Sequence, residues 1–162
     1  MMEISEMKEW IVLILAGMLA SSAALADDWR RDGSDAEKLE QLIRAMPNTA
    51  AIMLQVGERY NNLYWAARQG QWEYAGYQMA EMQGALRRNA VTRPGRAADI
   101  QKFLDEGFEG MEEAIEAQDD QRFFRSFEQM RGQCMVCHAD SGYAFIKLPA
   151  QPPRPNNPAL YQ

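Results

Sequence analysis

Histidine and cysteine are scarce in this chain, which has one histidine and two cysteines among 162 residues. A structural zinc site takes four ligands, so a zinc ion held by these three side chains would also need a carboxylate. Blocks of basic residues are missing as well, and the formal net charge is -6 at pH 7. Nucleic-acid binding requires clustered positive charge, and the composition therefore argues against it.

Patterns typical of strands and of membrane spans are also absent. No stretch alternates apolar and polar residues over more than a few positions, which argues against a β-rich or α/β fold. The apolar run Ile11–Ala20 is too short to cross a bilayer, so we expect no stable membrane anchor.

The amino terminus instead has the pattern of a secretory signal peptide. The run Ile11–Ala20 is preceded by a lysine and followed by small residues that end at Ala26. This arrangement predicts a signal peptide over residues 1–26, cleaved after Ala26, and therefore a periplasmic mature protein. Acidic residues ahead of such a run are unusual, which leaves open whether translation starts at Met1 or at Met7.

The three scarce residues stand together in the order Cys134-x-x-Cys137-His138. This order is typical of covalent haem attachment, in which two sulfurs add to the two vinyl groups and the imidazole reaches the iron. On a helix, residues three and four positions apart share one face, so all three groups would face one porphyrin. The motif predicts one covalently attached haem c, held by Cys134, Cys137 and His138.

Other interpretations of the motif remain open. Zinc is one, with the shortage of ligands described above. A thioredoxin-like redox pair normally accompanies a β-α-β unit, whereas the surrounding sequence looks helical. A disulfide between Cys134 and Cys137 would close a very short loop and add little stability. Copper(I) held by the cysteines and by methionines is a further alternative, although the methionines are spread along the helical stripes instead of being clustered.

Helical periodicity extends through most of the remaining chain. A capping-box pattern at Ser34 opens a short helix that ends near Pro47. Four longer helices are predicted by their apolar stripes, at about 49–68, 72–90, 96–117 and from the turn at Gln118–Asp120 through the motif.

The predicted fold is all-α. Four amphipathic helices with short connections pack most simply as an antiparallel up-down-up-down bundle. We expect residues 27–148 to form this haem c domain, including the short amino-terminal helix. Residues 149–162 are rich in proline and are predicted to form an extended tail.

The bundle topology narrows the choice of a second axial ligand opposite His138. The fourth helix would end beside the start of the first long helix, where Met53 lies on the core stripe and Gly57 leaves room for a flat porphyrin. Met53 is therefore the predicted sixth ligand, with Met46 and Met82 as alternatives. A buried methionine is more often a flexible core residue, so an iron without a protein ligand on this side also remains open.

Several other side chains have two interpretations each. Arg59 is a candidate partner for a haem propionate, or a solvated helix charge. The same holds for Arg131. The aromatic residues around the first helical hairpin are interpreted as core packing in preference to a haem wall. An acidic set on the third helix forms a solvated face that could also steer a basic redox partner; its members are Glu109, Glu112, Glu113 and Glu116.

These features together resemble the class II c-type cytochromes, the cytochrome c prime group, in which the motif lies on the last helix of a four-helix bundle. Gly57–Tyr60, Leu63–Ala66 and Gly70–Tyr77 are also similar to a set of small periplasmic c-type haem proteins with an Arg and a Gly-Asn-Trp turn at these places. The resemblance covers most of residues 45–148. The chain departs from the usual cytochrome c prime motif at Met135–Val136, and it lacks the basic residue expected soon after the motif.

The resemblance implies one of two functions, neither of them enzymatic. A six-coordinate iron with a methionine ligand would make the protein a one-electron carrier for a redox partner protein. A five-coordinate iron would bind nitric oxide or carbon monoxide. The only histidine is assigned to iron, which argues against a hydrolase. Whether two copies form a homodimer is left open.

Overall fold

The computed structural model describes residues 28–157 and Leu160, and the predicted signal peptide over residues 1–26 lies outside them. In this part of the chain the regular structure is helical, with seven α-helices, one 3-10 turn and no strand. The predicted all-α class is therefore confirmed. None of the described helices is both long and apolar enough to span a membrane. The chain divides into two compact units at Met46 and Pro47.

The described part of the first unit consists of α1 (Trp29–Asp32) and α2 (Asp35–Ala45). The predicted capping box is present: the Glu37 backbone N–H donates to Ser34 Oγ at 3.3 Å, and the Ser34 backbone N–H donates to Glu37 Oε2 at 2.7 Å. These two bonds satisfy amide groups that a helix start otherwise leaves unpaired. The apolar stripe of α2 is exposed to solvent, at Leu39, Leu42 and Ile43.

In the second unit, α3 (Thr49–Arg68) and α4 (Trp72–Thr92) form an antiparallel hairpin. The two helices run in opposite directions. At the start of α3, the Thr49 hydroxyl donates to Asn89 near the end of α4 at 3.2 Å, and in the middle of α3, Arg59 donates to Gln78 in the first half of α4 at 3.0 Å. The Asn48 side chain caps α3 by accepting a hydrogen bond from the Ala51 backbone N–H. Both helices therefore occur where their apolar stripes predict them.

The prediction of one helix over 96–117 is wrong. A 3-10 turn at Pro94–Arg96 leads into α5 (Ala97–Glu106), which is separated from α6 (Met111–Glu116). A Cβ on Gly107 would lie 2.7 Å from the Phe103 ring, and Gly110 has a φ of 70°, a left-handed conformation that side chains disfavour. The left-handed Gly110 therefore interrupts the helix, and a side chain at position 107 would clash with Phe103.

The last helix, α7 (Asp120–Asp140), begins at the capping side chain of Asp119. It packs against α3, α5 and α6, while α4 packs against α3, α5 and α6, so that the helices of this unit enclose one core. Fully buried side chains of α7 include Phe123, Phe127 and Met130. The helical bundle is thus present with its third helix in two pieces, and the up-down-up-down order stays a prediction.

The residues after α7 form no helix or strand from 141 to 157, which agrees with the predicted extended tail. This segment is nevertheless packed against the bundle, which the proline content did not predict. Pro152 is fully buried, and Leu160 belongs to the hydrophobic core with 0% of its surface exposed.

Candidate functional site

The Cys-x-x-Cys-His motif occupies the last turns of α7, on an uninterrupted helix. The buried stripe of this helix passes through Phe127 and Met130 and continues to Cys134, whose side chain packs against the core. Cys137 and His138 are half-buried. The three groups therefore lie together on the final turns of α7, and a common orientation toward one porphyrin stays a prediction.

The two motif cysteines are free thiols in the structure. Burial, with a smaller contribution from Cys137, raises the pKa of Cys134 to about 12. The pKa of Cys137 is raised first by burial and then by Asp99, while Arg96 acts in the opposite direction. These two charged residues belong to the start of α5 and the turn before it. Cys137 therefore lies near the connection between α4 and α5.

His138 has a neutral, partly buried ring. Burial lowers its pKa below the ordinary 6.5, and a hydrogen bond between the ring and the Ile146 backbone acts in the opposite direction. Its Nδ1 atom is buried and has no hydrogen-bond partner among the described residues. The neutral imidazole is the form that binds metal ions.

A cleft with a volume of about 500 Å³ lies between α3 and the segment after α7. Its walls include Met53, Gly57, Tyr60, Leu148 and Pro149. The volume falls within the range of roughly 300–1,000 Å³ found for cofactor and ligand sites. Tyr60 connects this cleft with the motif, because the pKa of its hydroxyl is raised first by burial and next by the Cys134 thiol.

The structure distinguishes the three methionines considered as axial ligands. Met53 is half-buried and lines the cleft. Met82 is 1% exposed and lies in the hydrophobic core of the bundle, where packing alone accounts for a methionine. Met46 is exposed at the end of α2 and belongs to the other compact unit. Coordination by Met53 stays a prediction, and of the three it is the methionine that the cleft favours.

Arg59 lies against α4. It donates to Gln78 at 3.0 Å, lies 4.0 Å from Glu81, and sits over the ring of Tyr77 at 5.8 Å. Its Nε atom is buried without a hydrogen-bond partner in the described chain. The structure thus places Arg59 in the interface between α3 and α4, and its propionate role stays a prediction.

Arg131, one turn before Cys134, is held in place by contacts with its own helix and with the segment after it, which the sequence alone did not predict. Its guanidinium pairs with Glu128 on the same helix and donates to the backbone oxygen of Leu148 at 3.0 Å. A second contact, at 3.6 Å, joins it to the sulfur of Met135. Arg131 therefore links α7 to the segment that forms the outer wall of the cleft.

Tyr60, Tyr64 and Trp72 of the hairpin pack on rings of α7, whereas Tyr74 and Tyr77 stack on each other and Tyr77 is exposed. Tyr60 lies 4.7 Å from Phe127 between ring centroids, and Trp72 lies 5.9 Å from Phe123 in an edge-on contact. Such pairs favour tilted or edge-on geometry because of their ring quadrupoles. These contacts fix α3 and α4 against the helix that carries the motif.

Groups of three or more His, Cys, Asp or Glu side chains placed to hold a metal ion are not found between residues 28 and 157. Comparison of the chain with protein-family models, with curated proteins and with solved structures finds no match. The function must therefore be argued from the residues of the site.

The burial of Cys134 predicts a pH dependence for the chain with free thiols. The unfolded thiol loses its proton near pH 9.0, whereas the folded one keeps it to about 12. The unfolded state is therefore favoured as the pH rises through this window, by at most about 1.4 kcal/mol per pH unit. Urea unfolding at about pH 8 and about pH 10 measures the change.

The variant Cys134→Ser is the control for this effect, because serine does not ionise in the same range. Its free energy of unfolding is expected to fall less between the two pH values than that of the unaltered chain. Equal losses in both proteins would contradict a buried, protonated Cys134.

Proposed function

We propose that this chain is an exported monohaem c-type cytochrome of the class II kind, and that it carries one electron at a time. The observation that supports the proposal is the placement of Cys134, Cys137 and His138 on the final turns of one continuous helix, with a buried His138 Nδ1 that has no protein partner in the described chain. A haem c bound there would supply a one-electron iron couple.

Each motif residue has a distinct task in this proposal. Cys134 and Cys137 tether the porphyrin through thioether bonds, and both are free for this reaction. His138 supplies a neutral ring nitrogen, which its lowered pKa keeps available at neutral pH. Met53 would be the second protein ligand to the iron, and its thioether would raise the reduction potential.

The geometry of the motif supports a porphyrin in preference to a zinc ion bound directly by His, Cys and carboxylate side chains. A directly ligated ion needs side chains that converge on one point, and no such group of His, Cys or carboxylate side chains includes the motif within the described residues. A porphyrin is attached at three separate positions, two vinyl carbons and the iron, so convergence is not required.

The docking of a redox partner is part of the same proposal. Apolar side chains near the motif are exposed, namely Val136, Tyr143 and Phe145. A small apolar surface beside the cofactor suits the weak, short-lived contacts of electron transfer. The acidic set on α6 and just before it is also exposed, and we propose that its charge favours a basic partner.

Absorption spectroscopy of the purified protein tests the proposal. We expect the ferric and dithionite-reduced spectra of a low-spin c-type haem, a methionine charge-transfer band, and little change on addition of carbon monoxide. The colour should stay with the protein after acid-acetone extraction, because thioether bonds survive this treatment. A colourless mature protein, recovered from cells that assemble such cytochromes with both thiols free, would contradict the proposal.

A five-coordinate binder of nitric oxide or carbon monoxide is the second candidate. The observation that favours it is the open cleft beside Met53, which would admit a small molecule to this side of the site. A high-spin spectrum that shifts with carbon monoxide would support the binder over the carrier.

A further inference from the structure

The segment 148–157, called the strap below, is bonded to three helices of the bundle. Its backbone oxygens accept hydrogen bonds from side chains of α3 and α7, and its last residue donates to α4. The bonds are Arg131 to Leu148 at 3.0 Å, Tyr60 to Pro149 at 2.6 Å, Trp65 to Pro152 at 3.1 Å and Asn157 to Tyr74 at 2.9 Å.

The strap and the aromatic residues of α3 that it covers provide each other with hydrogen-bond partners. Tyr60 is 3% exposed, so its hydroxyl needs an acceptor within the protein, and the carbonyl of Pro149 provides one. The guanidinium of Arg154 lies over the Trp65 ring at 5.5 Å, and Pro152 is fully buried. The strap is therefore fixed at several points along its length.

The strap also forms one side of the cleft. Leu148, Pro149 and Pro153 line it together with Met53 and Gly57 of α3. Arg131, which holds the first strap residue, lies one turn before Cys134 on α7. Release of the strap would therefore widen the cleft beside Met53.

We propose that the strap restricts the access of small exogenous ligands to the Met53 side of the cofactor site. This inference rests on the proposed haem attachment. Opening requires the hydroxyl of Tyr60 and the indole N–H of Trp65 to leave their strap carbonyls, while their rings stay packed on the bundle. The strap thus sets the rate at which ligands enter.

The double variant Tyr60→Phe, Trp65→Phe tests this inference, because it removes both donors and keeps aromatic rings at both positions. An ordinary hydrogen bond changes an opening equilibrium by roughly two- to tenfold, so loss of both is expected to speed imidazole binding to the ferric protein about tenfold. Stopped-flow absorption measures the rate. Hydrogen exchange at strap residues 150 and 151 should rise in parallel.

Tyr64→Phe is the matched control, since it removes a neighbouring aromatic hydroxyl and leaves both strap bonds in place. Its imidazole rate is expected to equal that of the unaltered protein. If the double variant does not fold, Tyr60→Phe alone serves instead, with an increase of about threefold expected from one lost bond.

The outcomes separate this inference from the proposed function. The strap proposal is overturned, and the cytochrome proposal is not, if the protein carries covalent haem but its rate of imidazole binding is unchanged by loss of the strap bonds. The same holds if neither the unaltered protein nor the variants bind imidazole. A protein without haem overturns both. Faster binding together with faster strap exchange supports the restriction.

Discussion

A chain in which Cys134 and Cys137 are both replaced by serine is expected to contain no covalently bound haem. Serine hydroxyls do not form the thioether bonds, so pigment that binds at all should be lost on acid-acetone extraction. Each single variant should keep one bond and leave one vinyl group unsaturated, which moves the reduced absorption band to longer wavelength. Extraction followed by denaturing electrophoresis with a haem stain measures the loss.

The residues between the two cysteines provide the control. Val136 is 52% exposed, and the motif does not specify its side chain, so Val136→Ala should keep full haem content. A double serine variant that retained its pigment after extraction would show that the thiols are not the attachment points.

Phe123→Ala is expected to cost about 3–5 kcal/mol of unfolding free energy, the usual range for truncating a buried phenylalanine. The side chain is 0% exposed and contacts the rings of Trp72, Phe124 and Phe127. Its removal leaves a cavity where α7 meets the hairpin. Domains are stable by only about 5–15 kcal/mol, so this loss would bring the bundle close to unfolding. Urea unfolding followed by circular dichroism measures it.

Phe145→Ala makes the same chemical change at a side chain that is 77% exposed. Surface substitutions of this kind usually change stability by less than about 0.5 kcal/mol. Similar losses in the two variants would mean that Phe123 does not occupy the core of the folded protein.

Most helices of the bundle could be predicted because their apolar stripes have clear ends. Asn48 and Gly70 mark the two ends of α3, Asn48 as the cap and Gly70 with a φ of 70° in the turn. The broken third helix was missed because the apolar residues on both sides of the break keep helical spacing. The left-handed conformation of Gly110 separates the two pieces, and spacing does not report it.

The candidate site was predictable in part. The order of Cys134, Cys137 and His138 fixes their shared face once the segment is helical, and burial of Cys134 follows from its place on the stripe after Met130. The contacts of Arg59 with α4 were not predictable, because an arginine on a helix has the same local pattern whether it faces a cofactor or a neighbouring helix.

The strap could not be predicted from proline content, since its contacts use backbone carbonyls that carry no sequence signal. A weaker signal was available in Tyr60 and Trp65. Buried aromatic side chains with a hydroxyl or an N–H require an acceptor, and the helices themselves offer few free ones. Two such residues on one helix therefore indicate that another segment must cover them.

The strap bonds also set an order for folding. Tyr60 and Trp65 meet their acceptors 89 and 87 residues further along the chain. Contacts between such distant positions close more slowly than those between neighbouring helices. The α3–α4 hairpin is therefore expected to form first, with these two donors in water, and the strap to close over it later.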